Sequence, residues 1–285
     1  MIRETENKYI TINHLRLHYL EWGKEGSRPM LLLHGSGDHA HVWDTFSSYA
    51  SKNFRIMALD QRGHGNSDWP TPPAYELYDY VSDLVQFIEA QQVNEIILMG
   101  HSIGALHATA YAAMKPEKVS ALIHIDIEPC PPFWNKKYLR RLYDTLPTFY
   151  DSVGDFVNHA QETSPFADRE MLFYLASFAL SKKEDGRFYA KFDKEVLSHF
   201  DQYDLRPHLS SIKCPTLIIR GEESRVMRRE MAFEMSQSIP NSTLVEIPNA
   251  THPVHTDNPP KFQEAVLDFL NDCGLMNENI SENRS

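Results

Sequence analysis

The chain has 285 residues, 42% of them hydrophobic and 24% charged, a composition of ordinary globular proteins that excludes collagenous, disordered and disulfide-framework classes. Its formal net charge of −11 argues against a nucleic-acid partner, which needs clustered Lys and Arg to displace counterions, and against an anionic membrane. No apolar run reaches the roughly 18 to 20 residues of a membrane helix, the opening MIRETENKYI lacks a signal-peptide core, and Cys130, Cys214 and Cys273 show no C-x-x-C spacing, so the expectation is a cytoplasmic protein with reduced thiols.

The chain opens with YITI and RLHYLEW on either side of Asn13-His14, a place for a hairpin reversal. From Met30 onward the apolar runs become short and continuous: MLLLH, FRIMALD, EIILMG, SALIHID, TLIIRG and TLVEIP. Runs without alternation belong to strands covered on both faces, which is the condition of a parallel sheet between helices. Helical periodicity falls between them. Val81, Leu84, Val85 and Ile88 share one face of a helix over Tyr78 to Gln91, a second helix starts at Ser102 and stops near Lys115-Pro116, a third covers Arg228 to Ser238, and a last one follows Pro259-Pro260. Strands alternating with helices predict an α/β fold with a mostly parallel, doubly wound sheet.

Between SALIHID and TLIIRG the alternation stops, and Glu128 to Pro215 is too long for a bare loop in a compact domain. Helices are predicted at Lys136 to Leu146, Val153 to Ala160 and Arg169 to Ser181, among large side chains that include Phe133, Trp134 and Phe178. The expected division is a core of residues 1–127 and 214–275, an inserted helical cap of 128–213, and a polar tail of 276–285.

The strongest local signal is GHSIG, Gly100 to Gly104, between the strand EIILM and the helix ALHATAYAAM. In that strand-turn-helix setting a serine sits on a strained turn and stands clear of the sheet, a nucleophile elbow. Ser102 is the predicted nucleophile, and the amide of Ile103 is aimed at a developing oxyanion with the helix dipole behind it. LLLHGSGDHAHVW ends the first parallel strand at His34-Gly35, and the amide of Ser36 is the candidate second donor. His34, His39 and His41 invite a metal reading, but no H-E-x-x-H and no carboxylate at helical spacing supports it, so no metal is predicted. A serine needs an imidazole to take its proton. His252, in TLVEIPNATHPV, follows the last core strand on the same sheet edge as Ser102, with His255 as its neighbouring competitor.

The LLLHG loop, LDQRGHGNSD, GHSIG and IPNATHPVHTDNP stand in an order and spacing that resembles the α/β-hydrolase superfamily, in particular its cap-bearing esterase, C–C hydrolase and lactonase-like members. The resemblance covers almost the whole chain. It implies an eight-stranded sheet with a lid after the sixth strand, and a structural role for Arg62, Gly63 and Ser67 in a turn beside the site. The family's usual acid lies three residues after the Gly that ends the seventh strand, where RGEESRVM has Ser224. The expected acid is Asp126, directly after the sixth strand, as other members have it and in the order Ser, Asp, His, with the neighbouring pair Glu222 and Glu223 as the alternative. A Ser nucleophile separates the chain from the Asp-dependent haloalkane dehalogenases and epoxide hydrolases of the same fold.

These features predict a hydrolase that cleaves an ester or related acyl substrate through an acyl-enzyme, with Phe133 and Trp134 of the cap shaping the substrate end. No cofactor is expected, since no strand is followed by G-x-G-x-x-G; the expected partner is a small acyl substrate, and oligomeric state is not readable. The competing reading is a signal-binding protein on the same fold with slow or single turnover. A C–C hydrolase, thioesterase or lactonase would use the same residues.

Overall fold

A computed structural model of the chain describes residues 5–132, 137, 141, 144–197 and 203–276. Phe133 and Trp134, residues 277–285, and residues 136, 138–140 and 142–143 of the helix predicted over Lys136 to Leu146 lie outside the described residues.

β1 (Glu6–Ile12) and β2 (Leu15–Trp22) form the antiparallel hairpin, and Asn13 and His14 both take positive φ, 49° and 65°, as a two-residue turn matched to strand twist requires. β3 (Arg28–Leu33), α1 (Asp44–Ala50), β4 (Phe54–Leu59), α2 (Leu77–Ala90), β5 (Ile96–His101), α3 (Ile103–Met114) and β6 (Val119–Ile125) follow. After an insertion come β9 (Thr216–Gly221), α6 (Arg229–Ser238), β10 (Ser242–Ile247), the single turn α7 (Val254–Asp257) and α8 (Pro259–Asp272). The eight strands are ordered β1-β2-β4-β3-β5-β6-β9-β10, antiparallel at β1, β2 and β4 and parallel from β4 onward.

The continuous apolar runs have the predicted cause. Leu31 and Leu33 of β3 and Leu98 of β5 pack on the layer holding α2 and α3, while Met30, Leu32, Ile97 and Met99 pack on the layer holding α1 and α8. Both faces of each central strand are therefore in core, and each fully buried aliphatic side chain contributes about 1.5–3 kcal/mol. In α2, Val81, Leu84, Phe87 and Ile88 fall on the buried side, and a reciprocal cap between Glu76 and Asp79 starts the helix.

The chain turns one way from β3 to β4 and the other way from β4 to β5, so the carboxyl ends of β3 and β5 meet at a switch point where an α/β sheet opens a crevice. The insertion runs over that edge. It contains α4 (Val153–Thr163) and α5 (Arg169–Ala179). Here the structure differs from the reading of a purely helical segment ending at Ser181: the helix stops at Ala179, and β7 (Leu180–Lys182) pairs with β8 (Phe188–Ala190). Gly186, at φ 80°, turns the hairpin, and Asp185-Gly186 is the local signal for it.

Candidate active site

Ser102 sits between β5 and α3 at φ 55°, ψ −127°, a conformation that costs a side-chain-bearing residue energy and survives only where its surroundings enforce it. Two glycines allow this. A Cβ on Gly100 would lie 2.3 Å from the Gly104 carbonyl oxygen, and one on Gly104 would lie 2.5 Å from that of His34, so strand, helix and the loop after β3 close to distances only glycine permits. The Ser102 amide donates to the Ile125 carbonyl at 2.9 Å. Ile103 opens α3, where a first-turn amide has no carbonyl one turn earlier to bond.

Three side chains from three strand ends converge. His252 Nε2 lies 3.0 Å from Ser102 Oγ, and His252 Nδ1 lies 2.8 Å from Asp126 Oδ2. Asp126 leaves β6 with φ 53° and is fully buried. Its Oδ1 accepts from the Gly221 amide at 3.0 Å and its Oδ2 from Ser224 Oγ at 2.6 Å. The loop carrying His252 is held on both sides: the Thr251 amide donates to Asp257 Oδ2 at 2.7 Å, and His101 Nε2 donates to the His252 carbonyl at 3.0 Å.

The other sequence candidates fall elsewhere. Glu222 and Glu223 are exposed, and neither is brought to His252, whose Nδ1 meets Asp126. His255 faces inward, its ring stacked on Trp43 at 4.5 Å and buried; burial pushes it down to about 3, and it does not meet Ser102. Ser36 lies on the loop after β3, and Gly35 beside it is so near that a Cβ there would stand 3.2 Å from the Ser102 Cβ.

That loop is braced by a buried polar chain the sequence did not disclose. Gln61 donates from its amide nitrogen to the His34 carbonyl at 2.8 Å, its backbone N–H donates to His34 Nε2 at 3.0 Å, and its Oε1 meets His107 Nδ1 at 2.7 Å. His107 Nε2 in turn lies 3.4 Å from the Tyr203 hydroxyl. Both nitrogens of His34 are used, since Nδ1 bonds the Gly35 carbonyl, so His34 cannot join His39 and His41 around an ion. Among the described residues the group able to converge on a metal is Asp38, His101 and His255. Burial holds His101 below the usual range, with His252 and His255 adding to the effect.

The insertion closes over this edge. Phe178 stacks on His41 at 3.5 Å, Thr251 Oγ1 donates to the Thr163 carbonyl at 3.1 Å, and the Phe166 amide donates to Asp257 at 3.3 Å.

The chain belongs to the alpha/beta hydrolase fold family, whose model matches residues 28–259, and it is a hydrolase of that fold. Its sequence is 27% identical to monoacylglycerol lipase ABHD6 of Rattus norvegicus over 92% of this chain and 81% of that protein. It is 26% identical to 2-(acetamidomethylene)succinate hydrolase of Mesorhizobium japonicum over 87% of this chain and 90% of that one. A crystal structure of E-2-(acetamidomethylene)succinate hydrolase superposes with a TM-score of 0.87 at 24% identity, covering 94% of this chain and all of the other. Among the described residues no helix is long and apolar enough to cross a membrane.

Proposed function

We propose that the protein is a serine hydrolase of carboxylic esters in which Ser102 attacks the substrate carbonyl, His252 takes the hydroxyl proton, and Asp126 fixes the tautomer of His252 and stabilises its imidazolium. The observation that carries the reading is the relay of 3.0 Å from Ser102 Oγ to His252 Nε2 and 2.8 Å from His252 Nδ1 to Asp126 Oδ2. The amides of Ser36 and Ile103 hold the oxyanion, the alcohol leaves with the proton from His252, and a water activated by the same imidazole releases the acid from the acyl-enzyme. The strained backbone of Ser102 supports this assignment, because such strain is kept where it positions a reacting group.

The named activity of the lipase relative supports an ester as the bond cleaved, and Phe133 and Trp134 keep a proposed role in choosing the acyl or alcohol part. Three cysteines without a disulfide support a reducing, cytoplasmic setting. Labelling with a fluorophosphonate followed by a screen of acyl esters, thioesters and lactones tests the reading. Steady turnover of at least one ester series by protein that the probe inactivates at Ser102 supports it; a single slow turnover, or turnover of thioesters or lactones alone, contradicts it.

A further inference from the structure

His101, the residue preceding the nucleophile, is buried, and its two ring nitrogens are in different situations. Nε2 donates to the His252 carbonyl at 3.0 Å, and because a carbonyl can only accept, the proton is on Nε2 and Nδ1 carries a lone pair. That Nδ1 is buried without a hydrogen-bond partner. A Cβ on Gly35 would come within 2.8 Å of it, so the glycine keeps a side chain from crowding the lone pair. His255 is 6% exposed, and neither of its nitrogens has a partner, an exception among buried polar groups. Its ring stands edge-on to His101 at 4.7 Å. Across from them is Asp38, whose Oδ2 is 3.9 Å from His101 Nδ1, too long for a hydrogen bond.

We infer that Asp38, His101 and His255 form a binding site for one borderline divalent transition-metal ion, Zn²⁺ or its neighbours Co²⁺ and Ni²⁺, and that occupancy of the site inhibits hydrolysis. Two imidazoles and one carboxylate are a donor set these ions take, with a remaining position for water. The Nε2–H bond of His101 to a backbone carbonyl is the outer contact that aims a ligating imidazole. The donor atoms lie within 4.8 Å of one another, whereas an ion holding them at about 2.0–2.2 Å needs them closer. Asp38 is free to move toward an ion, since its side chain is 36% exposed and no hydrogen bond among the described residues restrains it, and small rotations of the two rings complete the approach.

The inhibition follows from position. The His101 ring centroid is 4.6 Å from that of His252, so a bound dication opposes the positive charge that His252 gains when it accepts the serine proton. Hydrolysis itself uses no metal in this account, and the inhibitory part rests on the proposed serine mechanism while the binding part does not.

The test titrates the full chain with CoCl₂, reading visible absorbance, and with ZnCl₂ by equilibrium dialysis, beside hydrolysis of a small activated ester. His255→Phe keeps a ring against Trp43, and Asp38→Asn keeps the size of the side chain. The wild type is expected to bind one equivalent, show a Co²⁺ band, and lose at least about tenfold in activity with Zn²⁺, recovered by EDTA. Each variant is expected to bind at least about 100-fold more weakly and to keep metal-free activity with no Zn²⁺ response. Absence of stoichiometric binding, wild-type affinity in both variants, or equal Zn²⁺ inhibition of variants and wild type overturns the site; the last result puts the metal on His252. Binding without inhibition overturns the inhibitory role. If no ester is turned over yet the Co²⁺ band appears and depends on His255, the functional reading fails and the metal site stands.

Discussion

Ser224 donates its hydroxyl proton to Asp126 Oδ2 at 2.6 Å, the same oxygen that meets His252 Nδ1 at 2.8 Å. The place where the family usually carries its acid therefore touches Asp126, the proposed acid, on the neighbouring strand. Ser224 Oγ also accepts from the Val226 amide at 3.1 Å, which fixes its direction. Asp126→Asn is expected to lower kcat by about 10⁴, as loss of the triad acid does in serine proteases, and Glu223→Gln to leave it within a few-fold. Ser224→Ala removes one hydrogen bond to a charged group, about 1.5–3 kcal/mol at most, and should cost kcat about tenfold. Placing the acid back by Ser224→Asp in the Asp126→Asn background should recover part of the loss. Steady-state kinetics on one ester, with folding checked by circular dichroism, decides; an unchanged kcat in Asp126→Asn contradicts the assignment.

Gln61 ties the loop after β3 to α3 through the His34 carbonyl at 2.8 Å and His107 at 2.7 Å. Gln61→Leu leaves that carbonyl without its donor and loosens the backbone that presents Ser36. Loss of one oxyanion donor costs about 10²–10³ in kcat, so partial misplacement should cost about tenfold or more in kcat, with KM for a small ester nearly unchanged. A change confined to KM would show that the chain shapes binding rather than the oxyanion site.

Acid should unfold the protein early. Burial lowers His34 and His255 to about 3 and His39, His64 and His124 to about 4, whereas an unfolded imidazole titrates at about 6.5. Below about pH 6.5 the unfolded chain binds protons that the folded one refuses, so stability is full above that value and falls as pH drops toward 4. At about 1.4 kcal/mol per pH unit for each group, a typical stability of about 5–15 kcal/mol is exhausted between roughly pH 4 and 5.5. Thermal melts from pH 8 to 4 should show Tm falling steeply below 6.5; a flat Tm to pH 4.5 contradicts the buried-neutral assignment.

Glu128 is fully buried and is gripped by Arg228, whose Nε and Nη2 donate at 2.8 and 2.9 Å and whose amide donates at 3.2 Å. This fork joins the start of the insertion to the start of α6. Breaking a buried pair costs about 3–5 kcal/mol, reduced here because Arg228 is 46% exposed, so Arg228→Ala should lose about 2 kcal/mol in urea melts. Glu128→Gln, which removes the charge that needs a partner, should lose less. A larger loss in Glu128→Gln contradicts the buried-charge argument.

What was legible in the sequence was what is local. Continuous apolar runs gave the parallel strands because both faces of β3, β5 and β9 are in core, and GHSIG gave the elbow because its glycines are demanded by contacts within a few residues and with the adjacent loop. The relation between Ser224 and Asp126 was not legible, since 98 positions separate them and only the side-by-side placement of β6 and β9 joins them. The same holds for Asp38, His101 and His255, and for the chain from His34 through Gln61 and His107 to Tyr203. In the insertion the helical period of α5 carried the reading past Ala179, although Asp185-Gly186 marked a hairpin.

The most direct test of the account is mass spectrometry of the fluorophosphonate-treated protein, run beside hydrolysis of a p-nitrophenyl ester by wild type and Ser102→Ala. The expected result is a single adduct on Ser102, abolished activity in step with labelling, and a folded Ser102→Ala variant whose kcat is lower by about 10⁶. Near wild-type turnover by Ser102→Ala, or an adduct on another residue in parallel with inactivation, would contradict it.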